Sequence, residues 1–341
     1  MRLVRQARQA RRVRRVVVIL TAMRKILTSM IILLMAVGVL LCGCSSPQSI
    51  KNQGKSVETM RIAAIIPSSN YYWDGVQSGL RSGAEDINAD VKITCPRTIY
   101  SIPQMTEMIK AATAARVDAI VVQGSDDAGY IDALKSASDK GILIAFVDTD
   151  ITGFSHRLYV GTDNYAAGRL MAEKLIEMGD GKTKVAVLMG DEGFPNLDSR
   201  FEGFCDGIAD DGNISLIAVE RTHFDILETI EKYRSVLQEE PTVNAIICLD
   251  GSGGAAFASA FGPSETPSAR ILCFDMSPVV REAIKGGIIS GTITQSQIEM
   301  GEKTIRVLYE YYSRGQPMSD AVYTDISFVT AAELEDPNSG Y

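Results

Sequence analysis

From Arg61 onward, short runs rich in Val, Ile, Leu and Ala alternate with longer stretches in which apolar residues recur every three or four positions. The runs at 62–66, 91–94, 119–122, 142–147, 158–160, 184–188, 215–219, 245–249, 271–274 and 291–294 read as β-strands. Most are apolar without interruption, as expected of strands covered by helices on both faces. The stretches between them carry helix signals. Asp163, for example, precedes Ala166, Ala167 and Gly168 and leads into Leu170, Met171, Leu175 and Ile176, an N-cap followed by an apolar face. This alternation predicts an α/β protein with parallel sheets. About ten strands over about 280 residues exceed one compact core, so two doubly wound lobes are expected, with a single (β/α)₈ barrel as the alternative. No repeat of 20 to 50 residues is evident.

The chain before Arg61 follows a different pattern. Met23-Arg24-Lys25 opens a run from 26 to 43 that carries no charge and is broken only by Thr28 and Ser29. A basic start, an apolar middle and small residues at the end are the parts of a secretory signal. Leu41-Cys42-Gly43-Cys44 also resembles a bacterial lipobox, in which cleavage before Cys44 leaves its thiol to carry lipid. An uncleaved membrane helix is the alternative, 18 residues being near the lower limit for spanning. The expectation is a signal over 1–43, with translation starting at Met23, and a polar, lipid-anchored tether over 44–59.

Charge sharpens this division. Residues 1–25 hold nine Lys and Arg and no acid, whereas the remainder has 25 basic against 42 acidic residues. A body so acidic lacks the clustered cations that a phosphate backbone requires, which excludes nucleic acid as a partner. An exported chain meets conditions in which disulfides form. Cys95, Cys205, Cys248 and Cys273 match no zinc spacing, and Cys95, Cys248 and Cys273 lie in or at the end of apolar runs. They read as buried thiols, with one disulfide left open.

In open parallel sheets ligands sit beyond the carboxyl ends of the strands. The run at 62–66 is followed by Asn70, Tyr71, Tyr72 and Trp73; that at 142–147 by Asp148; that at 184–188 by a Gly-containing loop, Asn196 and Arg200. Asp250 follows 245–249, Asp275 follows 271–274, and Gln295 follows 291–294. Six elements thus present planar polar groups or aromatics at one edge. These types suit a sugar. A carboxylate, amide or guanidinium engages two adjacent hydroxyls in one plane, and the C–H face of the ring packs on aromatics such as Tyr72, Trp73 and Phe224. Singly, each residue has a plainer role: Asp250 and Asp275 as helix caps, Tyr72 and Trp73 as core, Arg200 as a solvated helix residue.

With those residues in place, the chain from about 61 to 329 resembles periplasmic sugar-binding proteins of the ribose/galactose type, the type I solute-binding fold of ABC importers. The resemblance rests on Gly161-Thr162-Asp163-Asn164-Tyr165-Ala166-Ala167-Gly168-Arg169, on Arg200-Phe201-Glu202-Gly203-Phe204, and on Phe274-Asp275 followed by Gly291-Thr292-Ile293-Thr294-Gln295. It implies ligand contacts at Asn70, Tyr72, Trp73 and Asp148 with Thr149 beside it, and at Arg200, Phe224, Asp250, Asp275 and Gln295. Thr149 stands where that family commonly has Arg, and Asp250 where it commonly has Asn. These departures turn the reading from ribose toward another pentose, a hexose or a polyol. The resemblance also implies three crossings between lobes, near 162, 295 and 325. An N-terminal lobe would comprise 60–162 plus 296–325, a C-terminal lobe 163–295 plus 326–335, and a tail 336–341.

The function so implied is an extracytoplasmic lipoprotein, acting as a monomer, that delivers a monosaccharide or polyol to an ABC permease without cofactor or metal. A sugar receptor serving a membrane sensor kinase or chemoreceptor would use the same fold and pocket. Catalysis is disfavoured. Paired acids such as Asp148 and Asp275 are the only glycosidase signal, His156 and His223 are the only histidines, and no Gly-x-Ser-x-Gly elbow occurs. Asp86-x-Asn88-x-Asp90 resembles the start of a calcium loop, yet Val91 replaces its Gly and Arg97 its final Glu. A repressor core of the same fold would need a helix-turn-helix where the signal and tether stand.

Overall fold

The computed structural model describes residues 59–85, 87–179, 181–262, 267–315 and 320–337. The expected signal, the tether, Cys44 and Asp86 lie outside the described residues. No helix among the described residues is long and apolar enough to cross a membrane.

The first half folds as β1 (Met60–Ile65), α1 (Tyr71–Glu85), β2 (Ala89–Thr94), α2 (Ile102–Ala114), β3 (Ala119–Val122), α3 (Ala128–Ser138), β4 (Leu143–Val147) and β5 (Arg157–Gly161). The second half repeats the scheme after a first helix, α4 (Asn164–Glu177). It runs β6 (Thr183–Met189), α5 (Pro195–Ile208), β7 (Ile214–Arg221), α6 (Ile226–Glu239), β8 (Ala245–Cys248), α7 (Gly251–Ala260), β9 (Arg270–Phe274), α8 (Pro278–Lys285) and β10 (Gly291–Gln295). The chain then forms α9 (Gln297–Arg314), β11 (Ala321–Tyr323), β12 (Ile326–Val329) and α10 (Ala331–Glu335).

Two six-stranded sheets result, ordered β2-β1-β3-β4-β5-β11 and β7-β6-β8-β9-β10-β12. This is the expected pair of doubly wound α/β lobes, and the barrel alternative is excluded. All ten predicted strands form. Two additional ones, β11 and β12, have three and four residues, too short to show a period. β12 also runs antiparallel to β10, so the second sheet is not purely parallel. The chain passes between sheets three times: between β5 and α4, between β10 and α9, and between β11 and β12.

The unbroken apolar strands are explained by two-sided burial. Along β3, Ala119 and Val121 enter one core cluster while Ile120 and Val122 enter another. Along β8, Ala245 and Ile247 face one cluster, Ile246 and Cys248 the other. Each fully buried Ile or Val contributes roughly 1.5–3 kcal/mol by leaving water. Edge strands are less covered, and β2 alternates half-buried with exposed residues over its first four positions. Cys95, just past that edge, is exposed and not buried as its apolar run suggested; Cys248 and Cys273 are buried, and none of the four is in a disulfide.

Helix starts follow their caps. Asp163 accepts from Ala166 N–H at 2.9 Å, Asp127 from Tyr130 N–H at 2.8 Å and Asp225 from Glu228 N–H at 2.9 Å. Two helix pairs approach through glycine. On α1, Gly79 faces the carbonyl of Ile298 on α9; on α5, Gly203 faces the carbonyl of Tyr165 on α4. A methyl group at either position would overlap that backbone oxygen. The glycine of the Arg200-x-x-Gly203 segment therefore sets how closely α5, the helix that carries Arg200, lies against α4.

A Gly-to-Ala change in an open helix stabilises by about 0.5–1 kcal/mol. At Gly203 the sign should reverse, overlap with backbone costing about 1–3 kcal/mol. Urea denaturation of Gly203→Ala should show a lower midpoint, and a higher one would contradict this packing.

Candidate functional site

The carboxyl ends of both sheets face one cleft that encloses a 530 Å³ cavity. Strand order 2-1-3-4-5 in each lobe places a switch point at β1/β3 and another at β6/β8, where loops diverge and leave a crevice. From the first lobe the wall receives Asn70, Tyr72, Trp73, Tyr100, Gln123 and Asp148. From the second it receives Phe194, Asn196, Arg200, Phe224, Asp250, Ser252 and Asp275, and Gln295 closes it at the second crossing.

Nine of the ten expected contact residues therefore line one cavity. Thr149 does not. It is fully buried behind Asp148, donating to Asp148 Oδ2 at 2.7 Å and accepting from Gln123 Nε2 at 3.1 Å. It orients the carboxylate and does not face the cavity. Two plainer readings fail, while Trp73, 1% exposed, does belong to the core as well as to the cavity wall. Arg200 is 2% exposed and not a solvated helix residue. Asp275 caps no helix, since Ser277 caps α8. Asp250 does both jobs, accepting from Ser252 N–H at 2.9 Å as cap of α7 while lining the cavity.

Asp148 is held by four donors. Tyr72 Oη donates to Oδ1 at 2.5 Å; Gln123 Nε2, Thr149 Oγ1 and Asn196 Nδ2 approach Oδ2 at 2.9, 2.7 and 3.5 Å. The last comes from the opposite lobe. Burial, reinforced by the Asp148 and Asp275 charges, raises the Tyr72 hydroxyl well above its ordinary value, so it stays a donor.

Arg200 sits over the Phe274 ring at 4.2 Å. Its Nε donates to Asn164 Oδ1 at 2.8 Å, Nη1 to the Leu249 carbonyl at 2.9 Å, and Nη2 to Gln295 Oε1 at 3.1 Å. Gln295 also accepts from Thr162 Oγ1 at 2.7 Å and donates from Nε2 to Asp275 Oδ1 at 2.7 Å. One side chain thus ties two crossings to a cavity carboxylate. Burial raises Asp250; it also raises Asp275, which is pushed up to about 6 although Arg200 and Gln295 oppose the shift.

The rings form two groups. Tyr72 and Trp73 meet edge-on at 5.4 Å. Across the cleft Tyr100 of the first lobe stacks on Phe224 of the second at 5.2 Å and 12°, and Phe194 meets both rings edge-on. Trp73 Nε1 donates to Tyr100 Oη at 3.2 Å. Burial pushes the Tyr100 hydroxyl up to about 12. This arrangement offers flat apolar faces beside carboxylates, amides and a guanidinium.

Gln123 and Tyr100 were missing from the expected set. Gln123 directly follows β3, so the strand-end rule points to it as well. Tyr100 has no comparable signal. It is the sixth residue of a seven-residue loop after β2, with a left-handed backbone, φ 56°, and only the fold brings it to Phe224.

A model of the family described as periplasmic binding protein domain matches residues 62–317. The D-apiose import binding protein of Actinobacillus succinogenes is 23% identical over 258 residues, covering 74% of this chain and 82% of that protein. The D-allose-binding periplasmic protein of Escherichia coli is 20% identical over 257 residues, covering 73% and 83%. Among solved structures, GanP, a glucose-galactose binding protein from Geobacillus stearothermophilus, matches with TM-score 0.77 and 27% identity over 82% of this chain and 99% of that one.

The Asp275 shift has a sign that can be tested. Its folded value, about 6, lies above the ordinary Asp value. The fold then holds the proton more tightly than the unfolded chain. This contribution to stability is present in full below about pH 4 and is lost as pH rises through about 6. Asp275→Asn, which keeps an acceptor for Gln295, should therefore stabilise the protein at pH 7.5 by about 1–3 kcal/mol and much less at pH 4. A variant less stable than the parent at pH 7.5 would contradict the assigned burial.

Proposed function

The chain belongs to the periplasmic binding protein family, and on that premise we propose that it is an extracytoplasmic solute-binding protein that captures a monosaccharide or polyol for an ABC permease. The observation that carries this reading is a cavity walled by residues from the carboxyl ends of both sheets. A ligand there touches both lobes at once, so the form in which they meet gains contacts that an open form lacks. Binding shifts the population toward the closed form about the three crossings, and that form is what the permease recognises. The lobes comprise 60–162 with 296–325 and 163–295 with 326–335. Cys44 carries the lipid that holds the monomer at the membrane.

Within the cleft, the faces of Tyr72, Trp73 and Phe224 pack on the C–H surface of the ring. Asn70, Asp148, Arg200, Asp250, Asp275 and Gln295 hydrogen-bond the hydroxyls. A sugar lacking one of those hydroxyls leaves a buried group unpaired, which supplies the discrimination. The glucose-galactose, allose and apiose specificities of the similar proteins are consistent with a small polyhydroxylated ligand here. The residues lining this cavity bind and orient, with no bond made or broken.

A thermal-shift screen against pentoses, hexoses and polyols tests the proposal. At a hundredfold excess over Kd, binding adds about 2.7 kcal/mol. For a chain of this size that raises Tm by about 5 °C or more. Arg200→Ala should abolish the shift. Because Arg200 also satisfies three buried acceptors, this variant will itself be less stable, so Phe224→Ala serves as a second variant, expected to weaken binding about tenfold or more through lost ring packing. A screen in which no sugar or polyol moves Tm would contradict the proposal.

A further inference from the structure

We propose that the ligand of this cleft carries a protonated amine, making it an amino sugar or amino polyol in preference to a neutral sugar. The inference deepens the sugar-binding reading and rests on it. It comes from the balance of charge and of hydrogen-bonding capacity in the cavity wall.

Three carboxylates, Asp148, Asp250 and Asp275, face the cavity together with a single guanidinium, Arg200. Arg200 does not spend its hydrogen bonds on them. Its three protein partners are the uncharged oxygens of Asn164, Leu249 and Gln295. Buried carboxylates are costly unless paired, and pairing within the protein reaches at most one of these three. The excess of negative charge is built into the place where the ligand sits.

The three carboxylates differ in how far the protein itself satisfies them. Asp148 is served by Tyr72, Gln123, Thr149 and Asn196. Asp275 takes one side-chain donor, Gln295 Nε2; Asp250 takes Ser252 through both its N–H and its hydroxyl, and also the N–H of Gly190. Asn196, 9% exposed and lining the cavity, has a buried side-chain oxygen with no hydrogen-bond partner. With one donor against four at Asp148, Asp275 keeps the most acceptor capacity for a ligand. A neutral hydroxyl brings one donor and also needs to be given one. An ammonium brings three donors, accepts nothing and supplies the missing positive charge. Its bonds to carboxylates are charge-assisted and roughly twice as strong as neutral ones. The Tyr72 and Phe224 faces add cation–π attraction for the same group. A metal ion is the competing cation, but among the described residues no group of three or more His, Cys, Asp or Glu is arranged to hold one.

Calorimetric titration of the full chain with matched pairs tests this: D-glucosamine against D-glucose, D-galactosamine against D-galactose, and 1-amino-1-deoxy-D-sorbitol against D-sorbitol, with the N-acetyl hexosamines as uncharged controls. In at least one pair the amine should bind about tenfold or more tightly than its hydroxyl twin, with N-acetylation removing the gain. Asp250→Asn, which keeps the shape and removes one charge, should reduce that preference to about threefold or less. Neutral twins that bind as tightly as the amines, or more tightly, would overturn the inference and leave the sugar-binding reading standing. No binding by any member of the panel would contradict that reading and the inference with it.

Discussion

The arrangement depends on a guanidinium buried between two sheets. Taking Arg200 out of water costs several kcal/mol unless its N–H groups and its charge are met. The protein meets them with the Phe274 face and with three oxygens from widely separated stretches: the start of α4, the residue after β8 and the end of β10. Those stretches must be where they are for the arginine to be buried. Gln295 extends the network in both directions, accepting from Thr162 in the first crossing and fixing Asp275 in the cavity. Tyr159 joins it to the first lobe, its hydroxyl lying 2.9 and 2.7 Å from the carbonyls of Asp148 and Thr162 with one proton to donate to either. Crossings and cavity wall are thus one hydrogen-bonded unit, so a movement of the lobes is felt at the carboxylates.

The two lobes solve the same problem twice. Asp148 follows β4 and Asp275 follows β9, each the fourth strand of its half. Both have left-handed backbones, φ 69° and 68°, and both donate N–H to the next strand, to Val160 and Ile293. Outside glycine this conformation costs of order 1–3 kcal/mol, and Asp tolerates it better than most residues. The strain turns each carboxylate off its strand axis and into the cleft. Similar geometry is met by different partners: Asp148 is wrapped by four donors, whereas Asp275 has Gln295 and the nearby charge of Arg200.

Much of this was legible in the chain because burial on both faces leaves a crude signature. An unbroken Ala119–Val122 or Ala245–Cys248 run has few other uses, and residues just past such runs must lie at a sheet edge. Asn70, Asp148, Asp250, Asp275 and Gln295 were found by that rule, and Gln123 obeys it too. Properties that depend on packing between distant elements were not legible. Nothing local separates Thr149, hidden behind its neighbour, from Asp148, which faces the cavity. Nothing local tells that Tyr100 reaches Phe224, that Cys95 lies past an exposed edge, or that β12 turns back antiparallel, since four residues carry no direction.

The central claim is that a small polyhydroxylated guest is gripped by both lobes through the network that Arg200 organises. A crystal structure of the complex with the tightest-binding sugar tests it most directly. The account predicts a ring lying between the Tyr72 and Phe224 faces, with its polar groups within about 3.2 Å of Asn70 or Asp148 on one side and of Asp250, Asp275 or Arg200 on the other. A ligand that contacts one lobe alone, or that sits outside this cavity, would contradict it.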